Sequence, residues 1–185
     1  ISITNNGTMD SPLSSAITAN GGSLITNNAT GVIGTYANAV HGIFSTSAVS
    51  IDNSGSISAG ANSDAKAIAT VDGTIINRAG GTINGESAGV YNTGTLDLTN
   101  SGTINGNLYH GVYSAGDATI VNNNTITGGI NAIFSLGSFN LKNTGSLSSL
   151  GDVAISNSAG SSVTNSGNII SSLNSAVVVG RASTV

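Results

Sequence analysis

Three aspartates are the side chains best placed to do chemistry. Asp72 and Asp117 each stand five residues before an asparagine, and Asp97 stands three before one. Carboxylates gathered on one face can protonate a glycosidic oxygen and activate water, an inverting pair lying roughly 6.5–9.5 Å apart. Two of the three also sit beside glycine, in VDGT and AGDA, where ordinary turns place aspartate. No Arg or Lys is expected beside them to hold an acidic sugar, and no histidine shares their register.

The two histidines occur in matching settings, HGIFS around His41 and HGVYS around His110. Imidazole pairs bind metals when their nitrogens converge at about 2 Å. A third pattern is a row dominated by small hydroxyls, the residue before the aliphatic that follows each corner: Thr8, Val32, Ser56, Thr82, Thr103, Thr125, Ser146 and Asn168. Regular ranks of Thr on a flat face can order water, although only TIT at 125–127 has the full Thr-x-Thr form. The chain has no EF-hand loop, calcium-binding nonapeptide, Lys-containing phosphate loop or G-x-S-x-G elbow.

What positions these residues is a repeat. NSGTING at 100–106 returns as NSGSISA at 53–59, NTGSLSS at 143–149 and NSGNIIS at 165–171. Aligning on its first residue gives Asn5, Asn27, Asn53, Asn77, Asn100, Asn122, Asn143 and Asn165, spaced by 22, 26, 24, 23, 22, 21 and 22 residues. A fixed period in this range marks a solenoid, a propeller or an array. An aliphatic residue lies two before each Asn, as at Ile51, Ile75 and Leu98. Another lies four or six after it, as at Ile57, Ile83 and Ile104. A third column, preceded by Ala or Gly, runs Ile17, Ile43, Ile68, Val90, Val112, Ile133, Ile155 and Val177.

Within a unit the large residues alternate with Ser, Thr or Asp, as in LDLTN, which is strand chemistry rather than helix chemistry. A unit of about 23 residues holds three short strands, too few for a four-stranded propeller blade of about 40–45. The expectation is an all-β chain: one continuous parallel β-helix over residues 1–185, of about eight coils, right-handed by the rule for parallel crossovers. Equivalent residues then stack about 4.8 Å apart. By period-2 alternation the eight asparagines point inward and form a ladder at a corner, because a buried amide must find partners.

This architecture reweighs the candidates. His41 and His110 fall three coils, or roughly 14 Å, apart and cannot share an ion. They read as repeat relics or surface turns. Asp97 falls about 8 Å from both Asp72 and Asp117, outward on successive coils. Composition narrows partners further. Only 6% of residues are charged, net charge is −4, and the four cations Lys66, Arg78, Lys142 and Arg181 are scattered, so nucleic acid is not expected. There is no cysteine for a disulfide or thiolate site, no apolar run of membrane-spanning length, and no cofactor or metal is expected. The chain begins and ends inside strands of the repeat, which reads as a segment of a longer solenoid or as ends that stack on copies of itself.

Repeats of N-[SNT]-G-[TS]-[IL], few charges and no cysteine together resemble the passenger domains of bacterial autotransporters, along the whole chain. The resemblance implies type V export and display on, or release from, a Gram-negative cell surface, through a translocator not in this chain. It implies a non-enzymatic adhesin shaft or fibre element whose partner is a host or neighbouring-cell surface component, protein or glycan, or the chain itself. The alternatives are a carbohydrate-active enzyme using Asp72, Asp97 and Asp117, as β-helical polysaccharide hydrolases use aspartates on one face, and an ice-binding face.

Overall fold

The computed structural model describes residues 1–34, 40–180 and 184–185. Arg181, one of the four scattered cations, lies outside the described residues. Coil by coil, the chain lays one strand into each of three sheets and then repeats. In the fifth coil these strands are Leu96–Asn100, Thr103–Gly106 and His110–Ser114. Each sheet has eight strands, all parallel, and the whole is a β-solenoid of about eight coils of about 22 residues. No described residue is helical. Parallel strands need a long crossover. Here the other two strands of the coil supply it, so each strand pairs with its copy one turn later.

The pairing follows the aliphatic columns read from the sequence. In the first sheet Ile51 pairs with Ile75, Ile75 with Leu98, Leu98 with Ile120 and Ile120 with Leu141. In the second, Ile57, Ile83, Ile104 and Ile126 follow one another. In the third, Ile43, Ile68, Val90, Val112 and Ile133 do so. These columns meet on the axis and make one core, most of it without solvent exposure. Fully burying one such side chain contributes about 1.5–3 kcal/mol. The insertions that the repeat spacing places at turns, 28–31, 60–66 and 79–81, lie in turns outside the ladders except at Lys66, which opens the strand Lys66–Thr70.

The corner between the first and second sheets is the asparagine ladder. Asn77 Nδ2 donates to Oδ1 of Asn100 in the next coil at 2.9 Å, and also faces the carbonyl oxygens of Gly81 and Thr103 at 3.2 Å. The same side-chain bond repeats at all seven steps from Asn5 to Asn165, always with the earlier residue donating to the later. Asn5 through Asn143 are buried. Asn165 is exposed.

The glycine of the repeated phrase has a steric role. Gly102 has no left-handed backbone angle, but a Cβ on it would lie 2.1 Å from the Gly81 carbonyl oxygen of the preceding coil. At this coil the corner is too close for a side chain; in the next coil Asn124 holds the equivalent place with its side chain exposed. The small residue before the third aliphatic column has a parallel explanation. A Cβ on Gly111 would meet Ile126 Cγ2 at 2.6 Å, so this position faces inward against the second sheet's isoleucines. Ala67, Ala132 and Ala154 fill the same inward position and are fully buried. The residue before this pair lies at the rim of the third sheet: His41, Lys66 and His110 are half-buried there, and Ala88 and Asn131 are buried.

Candidate functional site

The three aspartates do stand on successive coils of one face. Asp97 lies within the strand Leu96–Asn100 and is exposed, paired with Thr74 and Thr119. Asp72 and Asp117 each stand one residue before a strand. Their carboxylates are engaged in holding the coils together. Asp72 Oδ1 accepts the backbone N–H of Thr95 at 2.7 Å, and Asp117 Oδ1 accepts that of Ser138 at 3.0 Å. Each acceptor reaches one coil onward to satisfy an amide at the start of the next strand, as turn aspartates do within a turn.

The structure brings Asp72 and Asp97 to one depression and leaves Asp117 out of it. The depression, of about 320 Å³, crosses four coils of the first sheet. Leu24, Ala48 and Val49 contribute apolar lining, Ser50 and Thr74 hydroxyls, and the two aspartates lie toward one end. Asp117 borders a separate, smaller one of about 140 Å³ with Thr119, Ser138 and Asn140. An open, partly apolar trough with two carboxylates is suited to a polyhydroxylated ligand, whose hydroxyls can donate to Asp97. No family model, curated protein or solved structure matches this chain. The site must therefore be read from its own chemistry.

Of the two expectations for the histidines, repeat relics or surface turns, the strands bear on the second: both lie at the equivalent first position of strands His41–Ser45 and His110–Ser114. Both imidazoles sit at the rim of the third sheet, half-buried. Burial holds both below their ordinary pKa of 6.5, and the nearby Lys66 charge lowers His41 further. His41 Nδ1 accepts the Lys66 backbone N–H at 3.3 Å, so the neutral ring carries its proton on Nε2. Among the described residues no three carboxylate or imidazole groups converge closely enough to hold an ion.

The small polar row of the second sheet is in register from Thr8 through Val32, Ser56, Thr82, Thr103, Thr125 and Ser146 to Asn168. Beside it, Asn105 Nδ2 donates to Asn84 Oδ1 at 2.8 Å, so part of this face is already bonded to itself.

One arrangement went unread in the sequence. The outward residue after each third-column aliphatic runs Phe44, Ala69, Tyr91, Tyr113 and Phe134, paired in register on the third sheet. Tyr91 and Tyr113 stack with ring centroids 4.6 Å apart and planes 5° from parallel. Tyr113 and Phe134 follow at 5.7 Å and 11°. The His110 ring lies 5.0 Å from that of Phe134, and Lys66 Nζ stands 5.2 Å from the centre of Tyr91. In a chain with 4% aromatic residues, four rings in one column form a distinct surface. The readable signal was the FS, YN, YS and FS that follow the third column.

Proposed function

We propose that this chain is a non-enzymatic β-solenoid of the cell surface or secreted space, acting as an adhesin shaft or a structural fibre element. The unbroken asparagine ladder carries this reading. Seven side-chain bonds run parallel to the long direction, beside three hydrogen-bonded sheets, and a rod tied this way resists bending and local opening. Its surface supports the same reading. Solubility rests on hydroxyls and amides, and two of the three candidate aspartates hold backbone amides. The partner is a surface component of a host or neighbouring cell, protein or glycan, or another copy of the chain. Export by an autotransporter-like route and Gram-negative surface display fit the repeat chemistry. No helix among the described residues is long and apolar enough to cross a membrane.

The test pairs negative-stain electron microscopy and size-exclusion chromatography of concentrated protein with a turnover screen on polysaccharides. Constant-width rods or filaments without turnover are expected. Saturable turnover would overturn the reading.

The depression shared by Asp72 and Asp97 favours one rival, a carbohydrate-active enzyme. On that reading Asp97→Asn abolishes turnover while the thermal midpoint stays where it was. A shaft has no turnover to lose.

A further inference from the structure

The aromatic column of the third sheet is missing one rung. Ring follows ring from Tyr91 to Phe134, and Phe44 stands two coils before Tyr91, but Ala69 occupies the coil between them. The gap spans two strand steps, about 9.6 Å. What such a gap holds can be read farther along the same column. Between Tyr91 and Phe134, also two coils apart, sits one flat ring, Tyr113, stacked on both. At Ala69 the column itself offers only a methyl group between ring-bearing residues on either side, and the His41 ring rests 5.6 Å from that of Phe44 beside it.

A charge accompanies the gap. Lys66 belongs to the same coil as Ala69, and its ammonium rests 5.2 Å from the centre of Tyr91. Ala69 is only 5% exposed, so the side chains around it cover its methyl group. A lysine side chain is a movable cover, having four rotatable carbons and a head group that prefers water. The carboxylate of Asp64 acts on His41 at the same rim, but it is exposed in the preceding turn, where water screens it.

We propose that the gap at Ala69 is a binding site for a single flat aromatic ring carrying an anionic group. The ring completes the column between Phe44 and Tyr91, and Lys66 turns from the Tyr91 face to the anion. Offset stacking against two rings fixes the plane of the ligand. The ammonium fixes which edge faces the Lys66 side. A puckered ring cannot lie flush against both walls, and a neutral ring leaves Lys66 without a counter-ion. The inference does not depend on the shaft reading: rods and turnover are measured separately, and either result can stand without the other.

The experiment is a saturation-transfer NMR titration of the native chain with three probes of similar size: 4-hydroxybenzoate, its neutral analogue 4-hydroxybenzamide, and the non-planar anion cyclohexanecarboxylate. Tyrosine fluorescence serves as a second readout. The expected result is saturable binding of 4-hydroxybenzoate, tighter than the amide by about fivefold, as an exposed ion pair allows, and tighter than the cyclohexane acid by about fivefold, as ring stacking allows. Ala69→Phe supplies the missing rung from within and abolishes binding while the chain stays folded. Lys66→Met brings the benzoate down to the affinity of the amide. Should Ala69→Phe not fold, Tyr91→Leu removes one wall and must likewise lose the ligand; Val178 already stands in this column. No saturable binding of 4-hydroxybenzoate by the native chain overturns the proposal. So does undiminished binding by the Ala69 or Tyr91 variant, or equal binding of the cyclohexane acid.

Discussion

Asn100 Nδ2 donates to Asn122 Oδ1 at 2.8 Å across 22 residues of chain, with both side chains fully buried. Neither amide could be buried alone at acceptable cost, since an unpaired buried polar group costs about 1–3 kcal/mol. Each asparagine makes its neighbour's burial possible, so the ladder is favourable only as a series.

Asn100→Ala should therefore destabilise the chain by about 2–4 kcal/mol, combining lost bonds with the unpaired Oδ1 left on Asn122. Asn165→Ala, at an exposed position, should cost less than about 1 kcal/mol. Urea denaturation followed by circular dichroism separates the two. Equal losses would mean that the ladder bonds add nothing beyond local turn preference.

Gly102→Ala should cost about 1–3 kcal/mol, because the new methyl is driven into the Gly81 carbonyl oxygen. Gly7→Ala occupies the same place in the first coil, where nothing lies within 4 Å, and should leave the thermal midpoint unchanged or slightly raised. If both variants lose stability alike, backbone conformation and not coil stacking is what requires glycine.

The histidines predict a pH dependence. His41 and His110 titrate below 6.5 in the folded chain and near 6.5 when unfolded. Between those values the unfolded chain binds more protons, so stability falls as pH drops below about 6.5. It stops falling for this reason once the folded imidazoles also protonate. Thermal melts from pH 7.5 to 5 should show the decline, and the double substitution His41→Asn, His110→Asn should flatten it. Asn131 already stands in this column.

Asp72→Asn and Asp97→Asn should part company. The first weakens the acceptor for the Thr95 amide and should cost about 1 kcal/mol. The second alters an exposed carboxylate and should change stability by less than about 0.5 kcal/mol. Thermal denaturation of both variants is the check. A large loss for Asp97→Asn would give that residue a structural role that its exposure does not suggest.

The fold was legible because a solenoid repeats its constraints. The aliphatic columns and the asparagines each recur often enough for a period of about 23 to be read through the turn insertions that perturb it, and the pairing of Ile51, Ile75 and Leu98 follows directly. The candidate site was less legible, because it depends on which groups meet between coils. Sequence placed Asp72, Asp97 and Asp117 on one face. It could not show that Asp72 and Asp117 reach amides 23 and 21 residues away. The aromatic column escaped notice because Ala69 interrupts it and the rings differ in type. The small residue before the third column is plain in the sequence, but its reason, the closeness of Gly111 to Ile126, lies in packing between sheets.

The asparagine ladder has a direction. Every one of its seven bonds has the earlier residue donating and the later accepting. The carboxamide dipoles therefore add head to tail along the rod instead of cancelling, and each polarises the next. The backbone offers no such sum, since sheets carry only small net dipoles. The ladder thus has two unlike ends, its side-chain N–H groups aimed toward the last coil and its oxygens toward the first, so a coil added at one end would have to accept and at the other to donate.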